Sequence, residues 1–495
     1  MSLLGIVVRN LRHYWRQHLG VFTGAALCSM VLVGALVVGD SVKATLRRLA
    51  DERIGKADVA LLSTDGFFRE ELAADLAESM GGKIVVAPMV VTRGTISLPD
   101  GSYNVRNVQV LGVDERFWKL APDPDAKPAF ESGDFFANVR LNNRFKAWSP
   151  DRLILRVEEP SLFSRDAPLS GERDNKFVSF NKKLGDSVSS EGFGRFGLQG
   201  NQREPLTLFV PLKLLQNRMF RNFDGIAGKT TFANFLLLGN PGGESVSSEK
   251  AETAMNKAWT LSDAGISVKE LRDEASWSVR SRQVFLSDSL NRAGKSITPE
   301  TTGALTYLVN AIAKGESDEN ASALAPYSMV TAVEPTKATF LPDDLGDDEI
   351  VLSQWAKDDL NVTLGDSVTL SYYAVGERRK LLEESKTFRL RAVTPLPPKV
   401  PDGEESDWTP QFPGLSEAES CGEWDTGIPI KHKVREKDEE YWDNYRGSPK
   451  AFVTLAAGQD MWSNRWGSLT GLRVAKKDVA SREAVELTLR SEEHT

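Results

Sequence analysis

One apolar run, residues 19–39, dominates the pattern of hydrophobic and polar positions along this chain. Its 21 residues, LGVFTGAALCSMVLVGALVVG, include no charged side chain, no proline and no amide. With a rise of about 1.5 Å per residue, a helix of this length crosses the roughly 30 Å hydrocarbon core of a bilayer. A buried helix of a soluble protein rarely stays apolar around its whole circumference, and a cleaved signal peptide has a shorter apolar run. Residues 19–39 are therefore predicted to span a membrane.

Small residues follow one face of the predicted membrane helix. They are Gly20, Gly24, Cys28, Ala35 and Gly39. Helix backbones approach closely where small residues line up, and the spacing of Gly20 and Gly24 is the G-x-x-x-G form of such a contact. The alternative is the ordinary abundance of glycine and alanine in membrane helices. We expect this face to pack against other membrane helices.

The segments on both sides of the run continue the helical pattern. Residues 1–18 hold three arginines and no acid, with apolar residues at helical spacing, which predicts an amphipathic helix on the membrane surface. An ordinary basic flank is the alternative. Apolar residues keep helical spacing through residues 40–57 as far as Gly55, a typical helix terminator, so the membrane helix is predicted to extend into a stalk. More Lys and Arg follow the run than precede it, but long domains translocate regardless of flanking charge, so charge alone leaves the orientation open.

Beyond residue 58 the pattern alternates between strand-like and helix-like segments. The order strand, helix, strand, strand with short turns predicts an α+β domain in which helices cover one face of a sheet. Helices are predicted at residues 68–80, 248–259 and 299–313, and strands at 58–62, 83–87, 90–96, 107–113, 207–210, 234–238, 266–271, 283–287, 328–333 and 349–352.

Long polar stretches and one internal similarity divide this region further. Stretches rich in Gly, Ser, Pro and charge lie at 121–135, 158–204 and 397–449, and the last of them contains several Trp and Tyr residues. The runs that begin at Ala137 and Ile350 both read as a short helix, a turn and a strand of alternating apolar residues. This similarity fits a duplicated element, with a chance match as the alternative.

Composition and charge limit the chemistry that the chain can carry. The net charge is −8, which gives no electrostatic reason to bind nucleic acid. Cys28 lies in the membrane run and Cys421 far along the chain, so no disulfide is expected between them. Four histidines are too few for a histidine metal centre. Cys421 and His432 are the one candidate nucleophile and base in the soluble part, and no catalytic motif surrounds them.

Two G-K-[ST] triplets, at residues 228–230 and 294–296, match part of a phosphate-binding loop. The full motif also needs a glycine five positions before the G-K pair, because this glycine lets the backbone wrap around the phosphates. Phe223 and Ser289 occupy those positions. We therefore expect no nucleotide site, no cofactor and no enzymatic activity in this chain.

Four segments carry a family resemblance: the arginine-bearing N-terminus, VGDSVKATLRRLADERIGKADVAL after the membrane run, NVQVLGVDERFW, and VLSQWAKDDLNVTLGDSVTL. Together they resemble the permease subunit of an ABC transporter of the FtsX/MacB/lipoprotein-releasing type. The last segment has Trp355-Ala356 where the family commonly has leucine-alanine. The similarity extends over about residues 1–475.

The resemblance implies an extracytoplasmic domain like the MacB periplasmic core domain, placed between a first membrane helix and three later ones. It also implies a separate cytosolic ABC ATPase as partner, further permease helices or a second permease copy, the lipid bilayer and extracytoplasmic partner proteins. The implied location is a bacterial-type inner membrane, with the N-terminus in the cytosol and most of the chain outside. In this family, ATP-driven closure of the ATPases moves the outer domain through the membrane helices. The chain departs from the pattern because the later helices are not in the sequence.

The C-terminus offers a reason for that departure. The last six residues, RSEEHT, are what one reading frame of a widely used sequencing adapter encodes. We expect residues 490–495 to be non-native and the chain to be an N-terminal fragment. An ordinary polar tail is the alternative.

The expected function is that of an ABC exporter permease subunit. A single-pass scaffold or receptor that binds outer proteins is the alternative, and a membrane-tethered hydrolase is disfavoured by the missing motifs. The expected layout is a cytosolic amphipathic segment at 1–18, a transmembrane helix at 19–39, a helical stalk at 40–57, a MacB-like outer region at 58–475, and a truncated helix with its tail at 476–495. Within the outer region we expect a first βαββ unit at 58–120, an insertion at 121–232, a second βαβ region at 233–345 and a second β-rich region at 346–475 that includes the loop 397–449.

The small-residue face yields a direct test. In the full-length gene product, Gly24→Leu keeps the span hydrophobic but blocks close backbone approach, so membrane insertion is expected to persist while assembly with partner helices falls. Detergent pull-down and carbonate extraction measure the two properties. Unchanged assembly of the Gly24→Leu protein would show that this face does not pack against another helix.

Overall fold

The computed structural model describes residues 3–63, 66–128, 134–160, 177–198, 204–220, 230–271, 275–317, 323–375, 381–401, 406–412, 415–416, 418–424, 429–479 and 481–493. The helices are α1 (Leu3–His13), α2 (Trp15–Ile54), α3 (Leu72–Ser79), α4 (Glu115–Lys119), α5 (Val139–Phe145), α6 (Leu212–Met219), α7 (Ser248–Ala258), α8 (Asp288–Ile297), α9 (Gln354–Leu360), α10 (Glu436–Tyr445), α11 (Leu455–Trp462) and α12 (Arg482–Glu493).

The strands are β1 (Val59–Leu62), β2 (Phe68–Arg69), β3 (Val85–Ser97), β4 (Asn104–Val113), β5 (Phe136–Ala137), β6 (Arg152–Glu158), β7 (Phe177–Lys183), β8 (Thr207–Pro211), β9 (Phe232–Ala233), β10 (Phe235–Gly239), β11 (Ile266–Glu270), β12 (Ser276–Ser281), β13 (Thr302–Lys314), β14 (Leu324–Val333), β15 (Glu349–Ser353), β16 (Ser367–Val375), β17 (Leu381–Thr394), β18 (Ala451–Thr454) and β19 (Gly471–Ala475).

Two large sheets follow one another along the chain. In the described residues the first sheet has the order β1-β10-β3-β4-β8-β5, with β6 joined to β3 and β7, and β2 pairs separately with β9. The second has the order β11-β12-β19-β13-β14-β18-β15-β17-β16, with a further pairing of β13 and β16. Most pairs are antiparallel, whereas β4–β8, β14–β18 and β15–β17 are parallel. The chain therefore has the expected mixture of helices and strands behind one N-terminal apolar helix.

Each sheet has its own hydrophobic core. Leu72 and Leu76, one turn apart on α3, are fully buried in a cluster with Leu236 of β10. In the second sheet, Leu472 of β19 is buried with Val485 of α12. Within the described residues, no hydrophobic cluster combines side chains of both sheets. Since burial of one leucine side chain contributes about 1.5–3 kcal/mol, each sheet is stabilised largely by its own helices.

The α2 helix is continuous from the apolar run into the stalk, as predicted. It has 40 residues and is therefore about 60 Å long, and none of its residues is buried. By length and composition it is the helix of the described residues that is able to cross a membrane. A Cβ atom added at Gly20, Gly24 or Gly39 would meet no neighbour within 4 Å. The packing face that also includes Cys28 and Ala35 is therefore open in this chain, and its role stays a prediction.

Most predicted strands are present with shifted ends, and the two predicted strands at 83–87 and 90–96 are one long strand, β3. The predicted helix 248–259 is confirmed as α7. The first sheet has eight strands in the described residues. These strands come from the expected units 58–120, 121–232 and 233–345, so hydrogen bonds join the three units. The proposed subdivision of the outer region stays a prediction.

Three sequence-based assignments were wrong. Residues 299–313 are not a helix, because 302–314 form β13, whose side chains are buried on both faces and therefore show no alternation. The helix predicted from residue 68 begins only at Leu72, since Phe68 and Arg69 pair with β9. Residues 283–287 are not a strand and make only an isolated bridge through Leu286.

Candidate functional site

The junction between the stalk and the first sheet is the candidate functional site. The α2 helix ends at Gly55, whose φ is +61° and whose N–H donates to the Asp51 carbonyl at 2.7 Å. A Cβ atom on Gly55 would lie 2.5 Å from the Leu120 carbonyl oxygen and 2.6 Å from the Phe193 ring. The next residue, Lys56, donates its backbone N–H to the Leu120 carbonyl at 2.8 Å. Both the left-handed backbone and the close approach require glycine at this position.

Gly55 and Lys56, with Leu120 and Phe193 against them, are called the stalk seat below. An aromatic cluster packs behind this seat and is called its wall. Asp114 caps α4 by accepting the Arg116 N–H at 2.8 Å, and the helix then places Phe117 and Trp118 in the core. The Phe117 ring centroid lies 4.8 Å from that of Phe193. Phe193 itself has φ +70°, which is unfavourable for a residue other than glycine and is held here by full burial. The wall is therefore densely packed rather than adaptable.

One ion pair fixes the rotation of the stalk over the seat. An Arg195 guanidinium nitrogen lies 2.9 Å from a Glu52 carboxylate oxygen, and Glu52 also pairs with Arg48 at 3.4 Å. Arg195 and Glu52 are 31% and 30% exposed, so solvent screening limits the pair to about 0–1 kcal/mol. Its contribution is orientation more than stability.

A second junction joins β2 to the turn that precedes β11, the first strand of the second sheet. Arg69 of β2 donates through Nε and a terminal nitrogen to the Asp263 carboxylate at 2.8 and 2.9 Å. Asp263 is buried and also accepts the Thr260 backbone N–H at 2.8 Å. Although burial acts in the opposite direction, the hydrogen bonds to Asp263 and Asp75 raise the pKa of Arg69. Bidentate pairing to a buried carboxylate makes this a defined contact between β2 and the turn before β11.

The structure also contains a buried lysine that the sequence did not reveal. The Lys450 ammonium lies 4.1 Å from the Trp355 ring centroid, 4.7 Å from that of Tyr441 and 3.4 Å from an Asp438 carboxylate oxygen. Burial lowers the pKa of Lys450 to about 8, and Asp438 opposes this shift. Arg435 donates to Asp438 at 2.7 Å, so the carboxylate keeps a cationic partner of its own. A single lysine before a strand gives no indication in the sequence that its side chain is buried between aromatic rings.

Cys421 and His432, the candidate nucleophile and base, are not brought together by a hydrogen bond among the described residues. The Cys421 backbone N–H donates to Glu439 at 2.9 Å, and its thiol faces the Asp438 carbonyl at 4.0 Å. Burial, followed by the charge of Glu439, raises the pKa of the Cys421 thiol well above its usual range. The thiolate form that nucleophilic attack requires is therefore disfavoured.

The remaining candidate sites are placed as follows. Ser289 lies in the first turn of α8 and Lys295 in its last turn, so this G-K-S triplet does not precede a helix N-terminus. Phe223 and most of the other triplet lie outside the described residues. No group of three or more His, Cys, Asp or Glu side chains in the described part of the chain could hold a metal ion.

Comparison with known proteins gives a structural likeness. No family model matches the chain, and no curated protein matches it. A solved structure of the periplasmic region of MacB from Actinobacillus actinomycetemcomitans is 11% identical, with 40% of this chain and 73% of that chain covered and a TM-score of 0.23. A TM-score this low does not establish a common fold.

The stalk seat predicts that Gly55→Ala destabilises the protein. The left-handed backbone costs about 1–2 kcal/mol for alanine, and the collision with the Leu120 carbonyl and the Phe193 ring adds about 1–3 kcal/mol. Gly82→Ala is the matched control, because Gly82 has φ +73° and open space around it. Thermal unfolding in detergent should show a larger loss for Gly55→Ala. Equal losses would mean that the seat is not tightly packed.

The buried lysine predicts a pH dependence. Between about pH 8 and pH 10.5, Lys450 is neutral in the folded state and protonated in the unfolded state, so the free energy of unfolding rises with pH. The whole shift corresponds to about 3 kcal/mol. Lys450→Met should remove this rise, and the exposed Lys477→Met should retain it. Denaturant titrations at pH 7, 8, 9 and 10 measure the difference; parallel curves for wild type and Lys450→Met would contradict the assignment.

Proposed function

We propose that this chain is the permease subunit of an ABC exporter, in which a separate cytosolic ATPase drives movement of the outer domain. The observation that carries the proposal is the unbroken α2 helix, which is seated by Gly55 directly against the first sheet. The sequence resemblance described above supports the same assignment.

Continuity makes the helix a lever. A rotation of about 10° applied to a helix about 60 Å long displaces its far end by about 10 Å. The seat transmits that displacement because Lys56 is hydrogen-bonded to Leu120 and Glu52 is paired with Arg195. A flexible linker after the membrane helix would instead absorb the motion.

The membrane part of the proposal requires cover for α2. All residues of 19–39 are exposed in the isolated chain, including the large side chains Phe22, Met30 and Leu36. Lipid tails cover such a surface, and the face with Gly20 and Gly24 suits a neighbouring helix from further permease segments or from a second copy. The proposed location is a bacterial-type inner membrane with the outer domain on the extracytoplasmic side.

A single-pass scaffold or receptor is the second candidate. It is favoured by the observation that the described residues contain one helix suited to cross a membrane. A scaffold needs only an anchor, so it has no requirement for a rigid seat between that anchor and the outer domain.

Nucleotide-dependent motion separates the two candidates. The full-length protein would be co-purified with its ABC ATPase, labelled on Glu78→Cys in the outer domain and on a surface cysteine of the ATPase, and measured by pulsed EPR with and without ATP-vanadate. We expect the distance to change with nucleotide, and a Gly-Gly insertion after Gly55 to abolish the change. The same insertion after Gly242, in an open turn, is the control and should leave the change intact.

A protein that retains no ATPase and shows no nucleotide-dependent distance would overturn the permease assignment and favour the scaffold. The chain without the ATPase should not bind labelled ATP in equilibrium dialysis. Saturable binding that Lys295→Ala removes would show that the incomplete loop is a nucleotide site after all.

A further inference from the structure

We infer that the outer region is a tandem duplication: residues 59–258 and 276–493 are two copies of one module, and the first copy alone is seated on the stalk. This inference goes beyond the proposed function and does not depend on it. It extends the similarity between the runs that begin at Ala137 and Ile350 to nearly the whole outer region.

The first evidence is the order and pairing of the elements. In chain order, β1, α3, β3, β4, β5, α5, β6, β7, β8, α6, β10 and α7 correspond to β12, α8, β13, β14, β15, α9, β16, β17, β18, α11, β19 and α12. The pairs β1–β10, β10–β3, β3–β4, β3–β6, β5–β8 and β6–β7 are antiparallel, and each has an antiparallel counterpart in the second sheet. The parallel pair β4–β8 has the parallel counterpart β14–β18.

The second evidence is the register of these pairs. Phe209 of β8 lies between Leu111 of β4 and Phe136 of β5. Its counterpart Phe452 lies between Thr331 and Val351, the counterparts of those two residues. Residues 136–157 correspond to 351–372 without a gap. A slip by one residue would turn every side chain to the other face, so agreement of register across β4, β8 and β5 is a stronger constraint than agreement of topology.

Buried polar contacts recur at corresponding positions. The Asn234 side-chain oxygen accepts the backbone N–H of Val91 at 2.8 Å. In the second copy, the Thr470 hydroxyl accepts the backbone N–H of Thr306, also at 2.8 Å. Two different side chains thus satisfy the same backbone group, which is expected when buried donors must keep a partner as a sequence diverges.

A glutamine contact and a helix cap recur in the same way. Gln216 of α6 donates to the Phe232 carbonyl at 2.8 Å, and Gln459 of α11 donates to the Ser468 carbonyl at 3.2 Å. Both carbonyls precede the strand that returns to the sheet, β10 or β19. The corresponding helices α5 and α9 are also capped at the same position. The Asn138 side chain caps the N-terminus of α5, and the Ser353 side chain caps that of α9.

At one sheet–helix contact that the two copies share, the small residue lies in the sheet in the first copy and in the helix in the second. In the first copy, Gly112 of the sheet faces Leu215 of α6, and a Cβ on Gly112 would lie 2.8 Å from the leucine. In the second copy, the sheet carries Ala332 and the helix carries Gly458, whose added Cβ would overlap the alanine. The small residue has changed sides while the helix kept its close approach, as paired substitutions in a tightly packed core require.

The copies differ at the stalk seat. Phe340 follows β14 at the same distance as Leu120, the seat residue, follows β4. In place of a stalk, the chain's own Trp408 packs on this side, 5.6 Å from the Phe340 ring and under the Arg473 guanidinium. The second copy thus covers with its own loop the position that the first copy uses to hold the membrane helix.

The copies also have separate cores and meet through few polar contacts. Arg282 of the second copy lies 4.9 Å from the Phe232 ring of the first, and Arg69 of the first copy pairs with Asp263 in the segment between the copies. We therefore expect each copy to unfold as its own cooperative unit.

The test uses hydrogen exchange measured by mass spectrometry on the full chain in detergent. Gly458→Ala should speed exchange by at least tenfold across 276–493 and leave 59–258 unchanged. Gly112→Ala should do the reverse. Ala332→Gly should restore the Gly458→Ala protein, and Leu215→Ala the Gly112→Ala protein, whereas Ala332→Gly should not restore Gly112→Ala.

Faster exchange in both regions from either variant would overturn the inference of two separate units. Failure of both within-copy rescues would overturn the correspondence of the two sheet–helix contacts. Either result is independent of whether the protein associates with an ATPase, so it leaves the proposed function to its own experiment.

Discussion

The apolar surface of α2 is the constraint on which the rest of the architecture depends. A helix with exposed Phe, Leu, Val and Met side chains around its whole circumference is not stable in water, and none of the residues that the structure describes covers its apolar run. A bilayer satisfies this requirement and at the same time fixes where the outer domain begins. Because the helix does not end with the apolar run at Gly39, it carries the constraint about 24 Å further along the chain, to Gly55.

At Gly55 the helix meets a packed aromatic wall, and in the proposed function this contact is the mechanical connection between the membrane helix and the first sheet. The first sheet lies on that wall, and Arg69 of β2 pairs with Asp263 in the turn that leads into the second sheet. Neither contact is large, so the two determine the relative orientation of the parts they join more than the free energy of unfolding.

The sequence predicted those elements that depend on residues close together in the chain. The membrane helix, its extension to Gly55 and most strands follow from apolar periodicity and from one glycine with a left-handed backbone. The β13 strand was mistaken for a helix because a strand buried on both faces shows no alternation. Phe193 and Lys450 depend on distant segments that fold around them, and no pattern in their own neighbourhood marks them.

The duplication was visible in the sequence only as one short similarity. The copies preserve backbone contacts while the side chains that make them differ. Asn234 in the first copy is replaced by Thr470 in the second, and the glycine lies in the sheet at Gly112 but in the helix at Gly458. Residue identity is lost under these conditions, whereas hydrogen-bond pairing is retained. The repeat therefore becomes evident from the sheets and not from the residues.

The central claim is that the membrane helix and the outer domain move as one body. The most direct measurement is the distance between nitroxides on the native Cys28 and on Glu78→Cys, taken by pulsed EPR on the protein in lipid nanodiscs. A single narrow distance distribution is predicted, with Cys28 inaccessible to a water-soluble quencher. A broad distribution, or a Cys28 label exposed to water, would contradict the account.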